Sequence, residues 1–251
     1  MAVLKEKWFV ASKKADFCAI GARYGIDPVT ARIMRNRDII EEKDMEAYLN
    51  PKLTLLHSPH LMKDVDRLVE ILQEKIQNKC RIRIIGDYDI DGVQSAYILQ
   101  KGITRAGGMA TAAIPDRMKD GYGINENLIE QAKKDGADTI ITCDNGIAAA
   151  DAIAYAKELG LTVLVTDHHD IPYIEENGVR TYIKSRADAI VNPKQKECEY
   201  PFDGICGAVV ALKVVQALYE RCGIAEEEAM EFLENAAFAT VGDVMDLVDE
   251  N

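Results

Sequence analysis

Long apolar runs are the first thing that this chain of 251 residues lacks. No run of roughly 18 apolar residues occurs, so no membrane-spanning helix is predicted. The opening residues, Met-Ala-Val-Leu-Lys-Glu-Lys-Trp, lack the apolar core of a signal peptide. The six cysteines are scattered and form no C-x-x-C pair, which argues against a disulfide framework. The expected protein has reduced thiols and is cytoplasmic.

Positive charge is also scarce. The net charge is −12, which argues against a chain that wraps nucleic acid with its whole surface. The distribution is uneven, because residues 1–37 carry eight Lys/Arg against three Asp/Glu, while residues 223–251 carry nine acids and no base. A local basic surface therefore stays open as a hypothesis, but charge alone does not establish one.

The residue pattern predicts an α/β protein with a mostly parallel, doubly wound sheet flanked by helices and with an N-terminal helical extension. The predicted strands are 81–85, 110–114, 139–142, 162–165 and 189–191. The predicted helices between and after them are 93–105, 126–134, 148–159, 207–221 and 226–240. Before residue 81 the apolar spacing is helical, with Ala31, Ile33 and Met34 on one predicted face. We expect residues 1–78 to form a helical segment that packs on a catalytic domain of residues 79–251.

The segment Arg81–Gly92 organises the rest of the chain. An apolar β-branched run ends in three aspartates at alternate positions, Asp87, Asp89 and Asp91, and a helical pattern follows. Three carboxylates this close together repel one another unless a positive charge lies between them. Hard divalent cations supply that charge and prefer oxygen ligands. The carboxyl end of a parallel strand is also where open α/β sheets bind their ligands.

Two further strands end in the same kind of residue. The third predicted strand is followed by Asp144 and the fourth by Asp167, His168 and His169. Because parallel strands align their carboxyl ends, these side chains are expected to meet at one edge of the sheet. Each group alone is weak, since Asp-Asn-Gly is most often a turn and a single histidine is most often structural. Two adjacent histidines after an aspartate favour a metal site, where the acid holds one ring's tautomer.

Three other interpretations of the first acidic segment stay open from the residues. An EF-hand loop would need a glutamate at its twelfth position, where this chain has Ile98, and a helix instead of a strand in front. A haloacid-dehalogenase-like nucleophile at Asp89 would need four apolar residues directly before it, but Gly86, Asp87 and Tyr88 intervene. A solvated acidic turn is the third.

Four motifs occur in a fixed order: Asp87–Gly92, Asp144–Gly146, Asp167–His169 and Thr240–Asp243. In this order the chain resembles the DHH phosphoesterase superfamily and, within it, the RecJ-type exonucleases specific for single-stranded DNA. Segments that also match are Tyr48–Pro51, Ser58–Asp64, Ile114–Arg117, Asp120–Gly123, Val191–Pro193, Tyr200–Phe202 and Gly204–Leu212. Asp243 taken alone would be called a helix-end acid. The resemblance covers nearly the full chain.

The resemblance implies a phosphodiesterase that releases 5′-mononucleotides from the 5′ end of single-stranded DNA, in DNA repair and recombination. Asp144 would bridge two divalent ions, Asp89 would bind one of them, and Asp91, His168 and Asp243 would bind the other. Mixed carboxylate and imidazole ligands suit Mn²⁺, with Mg²⁺ as a substitute. The two ions would activate a water for in-line displacement at phosphorus.

Other residues would surround the two ions. Asp87, Asp167 and His169 are catalytic candidates that would contact phosphate or orient the ligands. Substrate contacts are assigned to His169 and to Arg117, Gly121 and Tyr122, although the last three equally suit a surface turn. Single-stranded DNA is the expected partner, with a single-strand-binding protein or a helicase as candidate protein partners and no membrane.

Two departures from the family matter. Many relatives have a histidine where this chain has Ile85, so one ion would depend on carboxylates and water. Full-length members continue into a second, glycine-rich domain, whereas this chain stops at Asn251, so we expect the N-terminal catalytic part and a poor or inactive nuclease on its own. The alternatives are a nano-RNase or 3′-phosphoadenosine phosphatase, a family II pyrophosphatase, or a chain that binds metal and DNA without turnover.

Overall fold

A computed structural model describes residues 7–8, 13–176, 178–183 and 185–251. The chain divides into two compact units, residues 1–56 and residues 57–251. This division falls earlier than the predicted boundary at residue 78. The reason is that helix α4 (Val65–Gln77) places Leu68 and Leu72 in the same apolar core as the helices of the second unit.

Three short helices lie in the described residues of the first unit, α1 (Phe17–Tyr24), α2 (Pro28–Asn36) and α3 (Glu42–Leu49). Asp27 caps α2, because its carboxylate accepts hydrogen bonds from the backbone N–H groups of Val29 and Thr30. Ala31 and Met34 are buried as predicted, but Ile33 is 50% exposed, so its predicted place on the buried face is wrong. A helix of nine residues presents only a narrow stripe to a small core.

The second unit is built on a five-stranded parallel sheet, which confirms the predicted α/β class. Its strands are β1 (Arg81–Ile85), β2 (Met109–Ala113), β3 (Thr139–Cys143), β4 (Thr162–Thr166) and β7 (Ala189–Val191). The spatial order is β2-β1-β3-β4-β7, so the direction of strand addition reverses between β1 and β3. Ligands of doubly wound sheets bind at such a reversal, outside the carboxyl ends of the strands.

Helices cover both faces of this sheet. They are α4, α5 (Ile90–Arg105), α6 (Glu126–Lys134), α7 (Ala150–Glu158), α8 (Gly207–Cys222) and α9 (Leu233–Gly242). One core lies between the sheet and α4, α5 and α8, and a second core lies between the sheet and α6 and α7. The predicted helix 226–240 is instead a 3-10 helix, Glu226–Phe232, followed by α9. No helix in the described ranges has both the length and the apolar character needed to cross a bilayer.

The connection from β4 to β7 contains an antiparallel hairpin that the residue pattern does not predict. Its strands are β5 (Tyr173–Glu176) and β6 (Val179–Tyr182). The hydrogen bond from Ile183 N to Pro172 O, 2.9 Å long, closes its base. Parallel strands are usually connected by a helix, so this crossover is unusual.

A buried ion pair ties α8 to the segment that follows α9. The Nζ atom of Lys213 lies 2.8 Å from Oε2 of Glu250, and both side chains are 1% exposed. Lys213 also donates to the backbone carbonyl of His57 at 2.7 Å, and Glu250 accepts from His57 N and from the hydroxyl of Tyr200. Each charged group therefore has several partners, which is what a buried ion pair needs.

Candidate metal centre

The carboxyl ends of β1, β3 and β4 lie in register at one edge of the sheet. Ile85 at the end of β1 pairs with Thr142, and Cys143 at the end of β3 pairs with Thr166 at the end of β4. The acidic motifs begin within two residues of these ends. The sheet thus brings together the first, second and third motifs, as the spacing predicted.

The three aspartates of the first motif take different positions. Asp87 is fully buried, and burial raises the pKa of its carboxyl. Asp89 is exposed and caps α5 by accepting from Gly92 N at 2.9 Å, so α5 begins earlier than predicted. Asp91 is buried and accepts from Gly207 N at 2.6 Å and from Ala208 N at 2.7 Å, at the start of α8.

Asp144 is the most perturbed acid of the cluster. Its backbone is left-handed, with φ of 59°, a conformation that few non-glycine residues adopt. Burial, followed by repulsion from Asp91 and Asp89, raises the pKa of its carboxyl to about 11. Across the described part of the chain, neither oxygen of Asp144 nor of Asp87 finds a hydrogen-bond donor. Buried carboxylates without partners are costly, so this pair of acids suits a cation.

Asp167 has the opposite environment. It accepts hydrogen bonds from the backbone N–H groups of Ile147, His168 and His169 and from Nδ1 of His169. Burial disfavours its charged form, but the bonds from His169 and Ile147 outweigh burial and lower the pKa of Asp167. Its oxygens are already occupied, so Asp167 orients the two histidines and offers little to a metal ion.

The histidines lie between the acids. Nε2 of His168 lies 3.1 Å from Asp144 Oδ1, 3.4 Å from Asp91 Oδ2 and 3.7 Å from Asp243 Oδ2. Nε2 of His169 lies 3.2 Å from the hydroxyl of Tyr122, and the hydrogen bond with Asp167 raises the pKa of His169. Asp243, at the end of α9, therefore joins the cluster as the resemblance implied.

In the part of the chain that the structure describes, three sets of side chains could hold a metal ion, each with its donor atoms within 4.8 Å of one another. They are Asp144 with His168 and His169, Asp91 with His168 and Asp243, and Asp87 with Asp89 and Asp144. Within the described ranges, none of these acids pairs with a lysine or an arginine, and only the two histidines approach them. Asp144 and His168 each belong to two of these sets. Asp87 and His169 are candidate donors beyond the five predicted ligands.

A second group of side chains flanks the cluster on its exposed side. The guanidinium of Arg117 lies 5.2 Å from the ring centre of Tyr88, and Tyr88 meets Tyr122 edge to face at 6.3 Å. The hydroxyl of Tyr122 donates to the backbone carbonyl of Asp144 at 3.1 Å. Tyr88 therefore connects Arg117 with Tyr122, two of the candidate substrate-binding residues. Gly121 supplies a left-handed turn, with φ of 78°.

Sequence reasoning missed two residues of this region. Tyr88 links Arg117 to Tyr122, and its place between two aspartates was the only available signal. The amide of Asn145, treated as part of a turn, donates to the carbonyls of Ile85 and Cys143 and accepts from Ile124 N at 3.1 Å. It thereby joins the ends of β1 and β3 at the strand reversal.

Close backbone approach explains one glycine. A Cβ atom at Gly207 would lie 2.8 Å from Cβ of Asp144 and 3.0 Å from Oδ2 of Asp91. Any side chain there would displace one of the two acids. Gly207 therefore lets the start of α8 reach the carboxylate of Asp91.

The chain is similar to known single-stranded-DNA-specific exonucleases called RecJ. It is 36% identical over 226 residues to the Bacillus subtilis protein, covering 90% of this chain and 27% of the relative. It is 29% identical over 247 residues to the Escherichia coli protein, covering 87% of this chain and 41% of the relative. The chain thus spans well under half the length of these relatives.

Solved structures give the same result. RecJ from Thermus thermophilus in complex with Mn²⁺ superposes with a TM-score of 0.72 at 26% identity, over 98% of this chain and 33% of that one. A second structure, exonuclease RecJ bound to manganese, has a TM-score of 0.61 at 29% identity, over 77% of this chain and 46% of that one. The model of the DHH family, N-terminal domain, matches residues 81–240. The chain therefore belongs to the DHH family.

Proposed function

We propose that this chain is the metal-dependent catalytic part of a RecJ-type exonuclease that hydrolyses single-stranded DNA from its 5′ end. The observation that carries the proposal is the meeting of buried carboxylates and imidazoles, two of the acids without donors, at the strand reversal between β1 and β3. The RecJ relatives, named as single-stranded-DNA-specific exonucleases, support the same activity. Manganese in two RecJ structures supports the choice of ion.

The donor set fits two Mn²⁺ ions, with Mg²⁺ as a substitute. Asp144 would bridge the ions and Asp89 would bind one of them, while Asp91, His168 and Asp243 would bind the other. Unpartnered oxygens on Asp144 and Asp87 support this fit, because a cation would supply their missing charge partner. Divalent ions at such a site supply positive charge that polarises a phosphoryl group and activates water.

The hydrogen bonds of His169 support a role in contacting phosphate. Its Nδ1 is bonded to Asp167, and its Nε2 faces Tyr122. Since the hydroxyl proton of Tyr122 points to the carbonyl of Asp144, its oxygen accepts from Nε2 of His169. The hydrogen bond with Asp167 raises the pKa of His169, which favours the charged ring beside the metal cluster.

Arg117 would bind a phosphate next to the scissile one. It is exposed, and its guanidinium is held over the ring of Tyr88. A planar guanidinium recognises phosphate through paired N–H donors, and the ring fixes its plane without using those donors. Tyr122 would fix the position of His169 and support the backbone of Asp144.

The cellular setting belongs to the same proposal. A RecJ-type exonuclease acts in DNA repair and recombination, in the cytoplasm, on strands exposed by other proteins. A single-strand-binding protein or a helicase would supply those strands.

A hydrolysis assay tests the proposal. The chain is incubated with Mn²⁺ and a long 5′-phosphorylated single strand, a blunt duplex of the same sequence, a dinucleotide, and 3′-phosphoadenosine 5′-phosphate. We expect 5′-mononucleotides from the single strand first, and no product after chelation of the metal. Asp170→Asn serves as a matched control for Asp144→Asn, because Asp170 is an exposed acid paired with Lys194.

Two outcomes would overturn the proposal. Preferred hydrolysis of the dinucleotide or of 3′-phosphoadenosine 5′-phosphate would indicate a different member of the superfamily. Mn²⁺ bound at the acids with no hydrolysis of any substrate would indicate a chain that binds metal only.

A further inference from the structure

The hairpin of β5 and β6 presents an aromatic face that the folded core does not use. In its register Tyr173 pairs with Tyr182, and Glu175 pairs with Arg180, so these four side chains share one face. The tyrosines are 43% and 48% exposed. The structural explanation is a cross-strand pair that stabilises an otherwise marginal hairpin by roughly 0.2–1 kcal/mol. That explanation accounts for the pairing of the rings but not for their exposure.

Contacts within the hairpin restrict the side chains of this face. The two tyrosine rings meet edge to face at 6.0 Å, and the guanidinium of Arg180 lies 4.4 Å from the ring centre of Tyr173. Nε of Arg180 also donates to Glu175 at 2.9 Å. Two rings and a guanidinium therefore form one surface whose side-chain freedom is already restricted. Binding a flat ligand there therefore costs little additional side-chain entropy.

The hairpin is tied closely to the candidate metal centre. Tyr173 follows His169 by four residues, which span at most about 14 Å. The hydrogen bond between Ile183 and Pro172 fixes the base of the hairpin. When the end of a DNA strand lies at His168 and His169, its next few nucleotides can therefore reach the hairpin.

We propose that the face formed by Tyr173, Arg180 and Tyr182 binds unpaired bases of a single-stranded nucleic acid that enters the metal centre, a proposal that rests on the proposed function. Stacking on aromatic rings and on arginine holds bases of any sequence. The chain needs such contacts, because a protein with a net charge of −12 gains little from attraction to phosphates. Bases inside a duplex are already stacked on each other, so the face selects single strands.

The test is a binding measurement that does not depend on hydrolysis. Fluorescein-labelled oligo(dT) of about 12 nucleotides is titrated with the chain in the presence of Ca²⁺, and anisotropy is recorded. In the double variant Tyr173→Ala/Tyr182→Ala we expect binding weaker by about 5- to 150-fold for each lost stack. Tyr173→Phe/Tyr182→Phe should retain affinity, because it keeps both rings.

Ile174→Ala is the matched control. Ile174 lies on the opposite face of β5 and is 55% exposed, so its loss perturbs the same hairpin without touching the rings. Equal affinity of wild type and the double alanine variant would overturn the proposal and favour a protein contact at this face. Equal losses in the Ile174→Ala variant, or wild-type binding to duplex as strong as to single strand, would overturn it too. Tight oligo(dT) binding without hydrolysis in Mn²⁺ would contradict the proposed function alone.

Discussion

Two groups of buried charges in the second unit are built in opposite ways. Lys213 and Glu250 neutralise each other; Lys213 also donates to the carbonyl of His57, and Glu250 accepts from His57 N and the hydroxyl of Tyr200. At the strand ends, among the residues that the structure describes, several carboxylates share two histidines, and neither oxygen of Asp144 has a hydrogen-bond donor. Burying charge is tolerable when the group is paired, as in the first case. In the second case the protein keeps an excess of negative charge in its interior, which favours a site for cations.

Asp144→Asn gives the largest expected effect. Asparagine tolerates the left-handed backbone of this position, so the change removes charge with little strain. We expect hydrolysis and Mn²⁺ affinity to fall by more than the roughly 10- to 100-fold typical of an outer-shell substitution. Without metal, the melting temperature near neutral pH should rise, because folding no longer has to protonate and bury this carboxyl. Titration calorimetry and thermal melting in chelator check both statements, and a lower metal-free melting temperature would contradict the interpretation.

Lys213→Met tests the balanced pair. It leaves Glu250 buried without its cation, so we expect a loss of about 3–5 kcal/mol in the free energy of unfolding. The double variant Lys213→Met/Glu250→Gln should recover part of this loss, because the orphaned charge is gone. Lys63→Met is the control, since Lys63 belongs to an exposed ion pair with Glu197. Urea unfolding gives the values, and similar losses for Lys63 and Lys213 would refute the distinction.

Measuring proton release on metal binding tests whether Asp144 is protonated in the metal-free protein. Burial and repulsion raise the pKa of Asp144 to about 11, so near neutral pH this carboxyl is protonated until a cation displaces the proton. Apparent Mn²⁺ affinity should therefore rise with pH, by up to about tenfold per unit for one released proton. Calorimetry in buffers of different ionisation enthalpy counts the protons. Binding without proton release near pH 7 would show that Asp144 is already charged.

The smallest effect is expected at His60, an exposed residue that contacts Glu220 and Asp66. His60 lies 2.7 Å from Glu220 and 2.6 Å from Asp66, and these hydrogen bonds, that with Glu220 foremost, raise its pKa. Its stabilising effect is complete below the unfolded pKa of about 6.5 and is lost as pH rises through the folded pKa. The free energy of unfolding of the wild type should exceed that of His60→Gln by at most about 1 kcal/mol at acidic pH, and by less at pH near 9. Urea unfolding of both proteins at the two pH values measures this difference, and a larger difference at high pH would reverse the sign.

Local pattern predicted most of the sheet. β1 and β7 have the predicted bounds, and β3 and β4 extend one residue further, because apolar β-branched runs ending in acids mark buried parallel strands. The hairpin was missed, since Tyr-Ile-Glu-Glu alternates neither in polarity nor in burial. The region 226–240 was predicted as one helix because it is rich in helix-forming residues, and this pattern gives no signal for the change from 3-10 to α-helix after Phe232.

The sequence predicted which residues lie together at this edge of the sheet, but not the hydrogen bonds between them. The register of parallel strands is enough to bring Asp144 and His168 together. The hydrogen bonds from Gly207 and Ala208 to Asp91 join residues more than a hundred positions apart, and no local pattern carries that information. The contrast between Asp144 without donors and Asp167 with four is likewise a product of tertiary packing.

Helix α8 connects Asp91 of the acidic cluster with Glu250 of the buried ion pair. Its first amides bind Asp91, and Lys213, six residues or about 9 Å further along, binds Glu250. Glu250 belongs to the segment that continues from Asp243, which returns to His168. A displacement of that segment would therefore be transmitted through α8 to the carboxylate of Asp91. Substitutions at the far anchor, such as Tyr200→Phe, should thus be felt as altered metal affinity with no ligand touched.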